Sequence, residues 1–324
     1  MVSLGMRAIE WTFRLKPMKR ANSLHPEKSI DNPDGSSPDL KKVAWDALDL
    51  MLNLRGCDWN WSEGLYIPPQ TRRTESTPAF VLSTLVATIK HSLAVDALLY
   101  TIQSFSPSGF GSPAGGTIFD PSLPPFLRYT RSTFISLLSC YIVYCSLQGF
   151  YEIFSLIGIV VLRQHPTQWP RLFNKPWHST SLAELWAKRW HQLFRNSFIC
   201  MGSKPLFFLI GPIGKVMGAF LVSGLLHNMG LWGMGRGTDF WNVGGFFLMM
   251  GVGILLEEVW KKVWGTKVGG WAGWAWTMVW TLGWSNILID AWLQRGLAGG
   301  IFFPPSRRPS KLMVEFIWSL VSSH

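Results

Sequence analysis

Two of the seven histidines in this chain stand where a side chain could do chemistry. His227 ends the apolar stretch SGLLH at 223–227, whose small residues leave room for a ligand beside the imidazole ring. His191 ends the polar stretch KRWH at 188–191, one hydrophobic segment earlier. A histidine in either place also fits a structural role in packing. Because His191 and His227 end two such stretches that are separated by one hydrophobic segment, a shared site is favoured.

Several other kinds of catalytic site are excluded by the sequence. The HxxxH and HxxHH boxes of a diiron enzyme, the G-x-S-x-G nucleophile elbow and the P-loop are all absent. The four cysteines, Cys57, Cys140, Cys145 and Cys200, include no CxxC pair and show no spacing typical of a disulfide framework. The sequence therefore predicts neither a metal site nor a disulfide scaffold.

His191 belongs to a polar stretch at 181–195 whose pattern predicts one amphipathic helix. Ser181 is a candidate N-cap with Glu184 three residues later, which is the pattern of a capping box. Apolar residues recur at helical spacing on one face. The opposite face carries Glu184, Lys188, His191 and Arg195. We therefore expect His191 to lie in a charged row, although such a helix could also lie flat on a bilayer with its tryptophans in the interface.

The composition is that of a membrane protein. Of the 324 residues, 48% are hydrophobic and only 15% are charged, well below the roughly 25% charge of soluble domains. The 19 tryptophans also favour a membrane, because Trp is enriched at its interfaces. The net charge of +11 lies beside hydrophobic segments and outside any nucleic-acid-binding pattern, so it predicts contact with anionic lipid and no nucleic-acid partner.

Five apolar segments are long enough to cross a bilayer. They lie at 78–103, 133–162, 205–228, 240–260 and 271–293, whereas 312–321 is too short to cross alone. Lys90, His91 and Asp96 interrupt the first segment, and we expect all three to face protein or water rather than lipid. A structural pair of His91 with Asp96 is the simplest interpretation.

Two regions follow from this pattern. Residues 1–77 form a polar, basic region with a proline- and glycine-containing run at 32–38 and an interfacial helix at 40–54. Residues 78–324 form the multi-span domain. The basic loops at 163–204 and 261–267 are placed on the cytosolic side by the positive-inside rule, which predicts an intracellular membrane such as the endoplasmic reticulum. The basic residues after 295 predict a half-crossing element near 297–321.

Three motifs together resemble a known family. The stretch ELWAKRWH at 184–191 resembles the FW-x-R-R-W-H motif of the wax synthase branch of the membrane-bound O-acyltransferases, and SGLLH at 223–227 resembles its S-G-x-x-H motif. The stretch RGCDWNW at 55–61 is similar to the R-G-x-G-W-x-W segment of fungal members, with Asp58 where glycine is usual. The resemblance implies a multi-span all-α bundle over about residues 45–300.

The resemblance also implies roles for individual residues. His227 would be the general base that takes the proton of an alcohol, and His191 would orient the reactants or donate a hydrogen bond to the developing oxyanion. Lys188, Arg189 and Arg195 would meet the phosphates of an acyl-CoA, with Trp190 beside them in the substrate site. The same basic residues could instead form a solvated row or a row that faces lipid headgroups.

The activity implied by the resemblance is acyl transfer from acyl-CoA, most simply acetyl-CoA, to a hydrophobic alcohol such as a terpenoid or meroterpenoid. The acyl-CoA would be a co-substrate, with no bound cofactor and no metal. The alternatives are a wax-ester-type acyltransferase that takes long chains and a non-catalytic membrane transporter or binding protein. The two acyltransferase functions differ in the acyl chain and the alcohol, and the third function includes no acyl transfer.

Overall fold

The computed structural model describes residues 2–12, 17–20, 40–62, 64–72, 74–300 and 303–322, which are helical and contain no β-strand. The main helices are α1 (Val2–Thr12), α2 (Leu40–Leu52), α3 (Thr77–Phe105), α4 (Pro125–Val160), α5 (Leu182–Glu184), α6 (Arg195–Phe198), α7 (Lys204–Gly233), α8 (Phe240–Trp264), α9 (Gly270–Gln294) and α10 (Pro309–Ser322). Wider π turns at Leu185–Arg189 and Ile199–Ser203 continue α5 and α6. Short 3₁₀ turns lie at Asn60–Ser62, Pro166–Gln168, Pro176–His178, Leu297–Gly299 and Pro305–Arg307. The predicted all-α fold class is confirmed.

Four helical segments in the described part of the chain are long and apolar enough to cross a membrane. They are Thr77–Phe105, Pro125–Val160, Arg195–Gly233 and Phe240–Trp264. The fifth predicted span forms the helix α9 at nearly the predicted bounds, but it is not among the four. Its polar residues, including Asn286 and Asp290, lower its hydropathy. It packs on α4 and α8 within the bundle.

The connection between α3 and α4 is a loop that belongs to the core. Phe110 and Ile118 of this loop are fully buried against α3, α4 and α9. The carboxylate of Asp290 on α9 accepts hydrogen bonds from the Thr117 hydroxyl and the Ile118 amide, both at 2.8 Å. The loop therefore fixes the end of α9 against the α3–α4 pair.

The segment Arg195–Gly233 is not one straight helix. At Ile210 (φ −134°, ψ 22°) and Gly211 (φ 64°, ψ −144°) the backbone leaves the helical region, directly before Pro212. The positive φ at this turn favours glycine. An uninterrupted span at 205–228 is therefore the wrong prediction, although residues 212–233 alone form a helix of about 33 Å, enough to cross a hydrocarbon core of about 30 Å.

The two arms on either side of Gly211 pack as an antiparallel hairpin. A Cβ added to Gly202 would overlap the carbonyl oxygen of Gly218, and one added to Gly214 would overlap that of Leu206. Such close backbone contact needs small residues at the interface, as in many membrane helix pairs. Residues 195–209 therefore run back along residues 212–233.

The ionisable residues within α3 do not pair as expected. Asp96 is bound by Arg308, at 2.7 Å to Nε, and by the Ser310 amide at 2.9 Å. His91 is bound by Glu152 of α4 at 2.9 Å between Nδ1 and Oε2. The predicted His91–Asp96 pair is thus wrong because each residue has a partner from a distant segment. Lys90 is exposed, contrary to expectation, and its long stem can carry the ammonium group toward the interface.

Arg308, one of the basic residues after position 295, has a structural role through its contact with Asp96. This arginine ties the chain to α3, and the following helix α10 has only 14 residues, about 21 Å, which is too short to cross alone. The predicted short element near the C-terminus is therefore present. Its large apolar residues, such as Phe316 and Trp318, are exposed.

The N-terminal region combines a surface helix with a buried turn. Helix α2 has no buried residue, and the predicted run at 32–38 lies outside the described residues. Trp59 and Trp61 of the RGCDWNW stretch are 4% and 5% exposed, so they are core residues and not interfacial anchors. The Trp59 indole donates to Asp49 at 2.8 Å, and Gly56 lies against the ring of Trp61.

Candidate active site

The helix that carries the first motif begins where the sequence predicts. The Ser181 hydroxyl accepts a hydrogen bond from the Glu184 amide at 3.0 Å, which confirms the N-cap. The Glu184 carboxylate accepts from the Thr180 amide at 2.8 Å, one residue before the position of a standard capping box. The start of α5 is therefore set by local residues.

A buried carboxylate from another helix completes this cap. Glu257 of α8, which is 7% exposed, accepts hydrogen bonds from the amides of Leu182 at 2.6 Å and Ala183 at 3.0 Å. It also accepts from the Trp276 indole of α9 at 3.1 Å. Negative charge at a helix N-terminus is favourable because the free amides point toward it. The sequence pattern gives no sign of this function, because Glu257 and Leu182 are 75 residues apart.

The helix does not continue to residue 195. After Glu184 it widens into the π turn, in which the Trp190 amide donates to the Leu185 carbonyl at 2.7 Å, and it ends at Trp190 with extended backbone (ψ 155°). The predicted single helix at 181–195 is therefore wrong. So is the predicted charged row, because Lys188, His191 and Arg195 lie on three different local structures.

The apolar side of this segment faces protein. Leu182 is fully buried in the core formed with α7, α8 and α9. The Trp186 ring packs edge-on against Phe220 of α7, at 5.8 Å between centroids, and Phe247 of α8, at 6.4 Å. The alternative of a helix lying flat in the bilayer interface is thus excluded for these residues.

His191 lies in an aromatic environment. Its ring centroid is 5.8 Å from that of Phe173 and 5.7 Å from that of Trp190, and its Nδ1 has no hydrogen-bond partner among the described residues. Burial lowers the pKa of His191 to about 3, with smaller contributions in the same direction from nearby His227 and Arg55. The ring is therefore neutral at physiological pH, with one N–H donor and one acceptor nitrogen.

His227 lies on the regular part of α7 with its tautomer fixed. Its Nδ1 lies 2.8 Å from the carbonyl oxygen of Ser223, and a carbonyl can only accept, so Nδ1 carries the proton. The lone pair on Nε2 is then available to take a proton. The ring stacks on Phe247 at 4.3 Å and lies 6.5 Å from the ring of Trp292.

The glycine in the second motif has a different function from the one expected. A Cβ on Gly224 would lie 2.8 Å from the Cα of Gly244, so this position lets α7 and α8 pack closely. The small residue therefore serves helix packing rather than leaving space for a ligand beside His227.

The helical hairpin explains why the two histidines lie near one another. Gly202 faces Gly218, and the same antiparallel register places residue 195 opposite about residue 225. The chain just before 195 is thereby brought to the level of His227. The lowering of the His191 pKa by His227 reflects this proximity.

The basic residues of the motif are not gathered into one group. Lys188 is exposed. Arg189 donates to Glu184 from Nε at 2.8 Å and to the carbonyl of Asn174 from Nη1 at 3.2 Å, so it fastens the π turn to the preceding segment. Arg195 lies beside Gly64 in the N-terminal region.

A buried arginine of the RGCDWNW stretch holds the segment before the motif. Arg55, 6% exposed, donates to the carbonyls of Pro170 and Arg171 at 2.8 Å each and to the Tyr151 hydroxyl at 2.5 Å. This segment leads to Phe173, which packs on His191. The RGCDWNW stretch therefore supports the site from outside it.

The segment that carries both histidines matches a known protein family. Residues 169–249, which include both histidines and the neighbouring Phe173, Trp190 and Phe247, match the model of the membrane bound O-acyl transferase family. The resemblance drawn from the motifs is thereby confirmed. In the parts of the chain that the structure describes, no three His, Cys, Asp or Glu residues are grouped so that they could hold a metal ion.

Three relatives illustrate the range of the match. The acetyltransferase eriL of Hericium erinaceus is 28% identical over 185 residues, 53% of this chain and 48% of the relative. The acyl-CoA–sterol O-acyltransferase 1 of Arabidopsis thaliana is 34% identical over 97 residues, 28% of each chain. The long-chain-alcohol O-fatty-acyltransferase of Simmondsia chinensis is 31% identical over 104 residues, 30% of each. The chain matches about half the length of the first relative and less than a third of the other two.

Proposed function

We propose that this multi-pass membrane protein is a membrane-bound O-acyltransferase. It transfers an acetyl group from acetyl-CoA to a hydroxyl of a hydrophobic metabolite such as a terpenoid or meroterpenoid. The observation that carries the proposal is the fixed tautomer of His227 beside a neutral His191. Both residues lie inside the matched segment.

The proposed reaction needs one base and one hydrogen-bond donor. Nε2 of His227 accepts the hydroxyl proton while the alcohol oxygen attacks the thioester carbonyl. The tetrahedral intermediate then expels the CoA thiolate, which takes up the proton held by His227. Because the thioester is already activated, no acyl-enzyme intermediate is required. Atoms and charge balance, with the ester and free CoA as products.

His191 is proposed to stabilise the oxyanion of that intermediate. A neutral imidazole donates one N–H, and the surrounding aromatic rings exclude the water that would compete for it. Removal of a single donor of this kind costs about 3–4 kcal/mol in known cases. The low pKa of His191 keeps the ring from carrying a permanent charge that would favour the ground state.

The residues around the two histidines suggest where acyl-CoA and the alcohol bind. Exposed Lys188 is the best placed motif residue for the phosphates of CoA, and Trp190 follows it two residues later. Arg189 and Arg195 would contribute through their positive charge while held by other contacts. The apolar alcohol would reach the site from the membrane. We place the protein in the endoplasmic reticulum membrane on the basic bias of its loops.

A second candidate has its own support. The match to a relative named as a long-chain-alcohol O-fatty-acyltransferase favours transfer of a long acyl chain to a long alcohol. The match to a relative named as an acetyltransferase covers more of this chain, 53% against 30%, and for that reason acetyl transfer is preferred.

The test is acyl transfer in membranes that contain the full chain. Labelled acetyl-CoA or palmitoyl-CoA is incubated with a panel of terpenoid, sterol and long-chain alcohols, and ester and free CoA are measured together. An enzyme releases CoA in a one-to-one ratio with ester. If no alcohol gives ester above membranes without the protein, the non-catalytic alternative of a transporter or binding protein replaces the proposal.

A further inference from the structure

A second polar cluster lies between α3 and α4 and is not used in the reaction proposed above. It consists of His91, Gln148 and Glu152. All three lie within segments long and apolar enough to cross a membrane, where ionisable residues are costly and often mark a function.

Glu152 fixes the orientation and tautomer of His91. The carboxylate, 4% exposed, accepts from His91 Nδ1 at 2.9 Å and from the Gln148 amide at 3.0 Å. An ionised carboxylate only accepts, so the proton is on Nδ1 and Nε2 is left as an acceptor. Among the described residues the His91 side chain has a hydrogen bond only at Nδ1, and it is 22% exposed.

The ion pair of Asp96, on the same helix, shows what a closed structural pair looks like. Asp96 is bound by Arg308 and the Ser310 amide, and Arg308 also donates to Gln103 at 2.6 Å. That pair joins two distant segments. The His91–Glu152 pair joins helices that already pack along their length, and it leaves a hydrogen-bond acceptor open.

Aromatic rings connect His91 to the candidate active site. The ring of Tyr144 is 6.1 Å from that of His91 and 4.8 Å from that of Phe173, and Phe173 packs on His191 at 5.8 Å. Trp177 stands edge-on to Tyr144 at 5.3 Å and is 44% exposed. Phe173 is buried behind these rings, whereas half-buried Tyr144 and exposed Trp177 present an apolar surface beside His91.

We infer that His91 recognises the acceptor: its Nε2 accepts a hydrogen bond from a second hydroxyl of a rigid, lipid-soluble alcohol whose skeleton lies along Tyr144 and Trp177. The first hydroxyl, at the other end of the skeleton, is then presented to His191 and His227. This inference rests on the proposed function for the fate of that first hydroxyl. It assigns the acceptor to the oxygenated polycyclic alcohols and away from simple long-chain alcohols, which have no second hydroxyl.

The experiment compares two ligands that differ by one hydroxyl. Equilibrium binding of tritiated androstanediol, with a hydroxyl at each end of its ring system, and of the mono-alcohol androstanol is measured on the full chain in detergent. A net hydrogen bond predicts about tenfold tighter binding of the diol to the wild-type protein. His91→Leu should remove this preference, whereas Asp96→Asn, which breaks an ion pair on the same helix away from the apolar surface beside His91, should keep it.

A second variant guards against misfolding. If His91→Leu is not monodisperse in detergent, Glu152→Gln is used, and it should reduce the preference to about threefold because the neutral amide fixes the tautomer less strongly. The inference is wrong if the wild-type protein shows no preference for the diol, or if the preference survives in the variants of His91 and Glu152. Diol preference without any acyl transfer would instead overturn the proposed function and leave the binding site intact.

Discussion

The two central histidines are held in position by opposite means. His227 lies on a regular helix, and its ring is oriented by the carbonyl of Ser223 in the preceding turn. His191 lies on irregular chain between the π turn and α6, and its Nδ1 has no partner among the described residues. Its place is set by distant contacts, of Glu257 with the start of α5 and of Arg55 with the segment before Phe173.

The position of His227 therefore depends on its own helix, whereas the position of His191 depends on residues that are distant in the sequence. Mutations around His227 should act mainly at the base itself, because a helix of this length keeps its geometry without the imidazole. Mutations far from His191 should act through its position, because several weak anchors share that task. The following variants test this division in order of expected effect.

His227→Ala should lower ester formation by about 10²–10⁴-fold, because it removes the proton acceptor. The protein should remain folded, since the Ser223 carbonyl is still satisfied within the helix. The assay is turnover at matched expression, with the exposed His178→Ala as the matched control. Near-parental turnover of His227→Ala would rule out the base assignment.

His191→Ala should cost less than the upper end of that range, about 10²–10³-fold, and the loss should fall on kcat. The physical reason is the loss of a donor to the oxyanion, which forms only after binding. Steady-state kinetics for both substrates provide the measurement. A change confined to the Michaelis constant for the alcohol would instead assign His191 to substrate binding.

Glu257→Gln should lower turnover about tenfold through the position of His191. An amide carries no charge to match the exposed N–H groups at the start of α5, and anchoring of the motif weakens by about 1–2 kcal/mol. Glu258→Gln is the control, because Glu258 is exposed one residue away. Equal turnover in the two variants would show that the buried carboxylate does not position the site.

Lys188→Gln should raise the Michaelis constant for acyl-CoA about threefold and leave that for the alcohol unchanged, because only the former carries phosphates. Arg189→Ala should affect both substrates, since it frees the π turn from Asn174 and Glu184. The two variants are compared over a range of both substrates. If Lys188→Gln behaves as Arg189→Ala does, the exposed lysine has no separate part in donor binding.

The smallest expected effect is that of His191→Gln on the pH dependence of the folding stability. The pKa of His191 is about 3 in the folded protein and 6.5 without its surroundings. Between these values the unfolded chain binds a proton that the native chain does not, so stability falls as pH decreases from about 6.5 toward 3. His191→Gln should reduce this loss, by a few degrees in the thermal transition measured at pH 5 relative to pH 7. An identical pH dependence in both proteins would contradict the burial of a neutral ring.

The sequence by itself determined what depends on neighbouring residues. Long apolar segments placed the spanning helices, because hydropathy and helix length are local properties. Ser181 marked the start of α5 for the same reason. The motifs also pointed to the family whose model matches residues 169–249, since they are short strings of residues that stay recognisable without the fold.

Only the tertiary structure decided how those helices meet. The break at Gly211, the hairpin through Gly202 and Gly218, and the π turn before Trp190 together bring His191 to His227. None of these follows from helical periodicity, which predicted one amphipathic helix at 181–195. The partners of His91 and Asp96 were missed for the same physical reason: Glu152 and Arg308 are 61 and 212 residues away, and only packing of the bundle could bring them together.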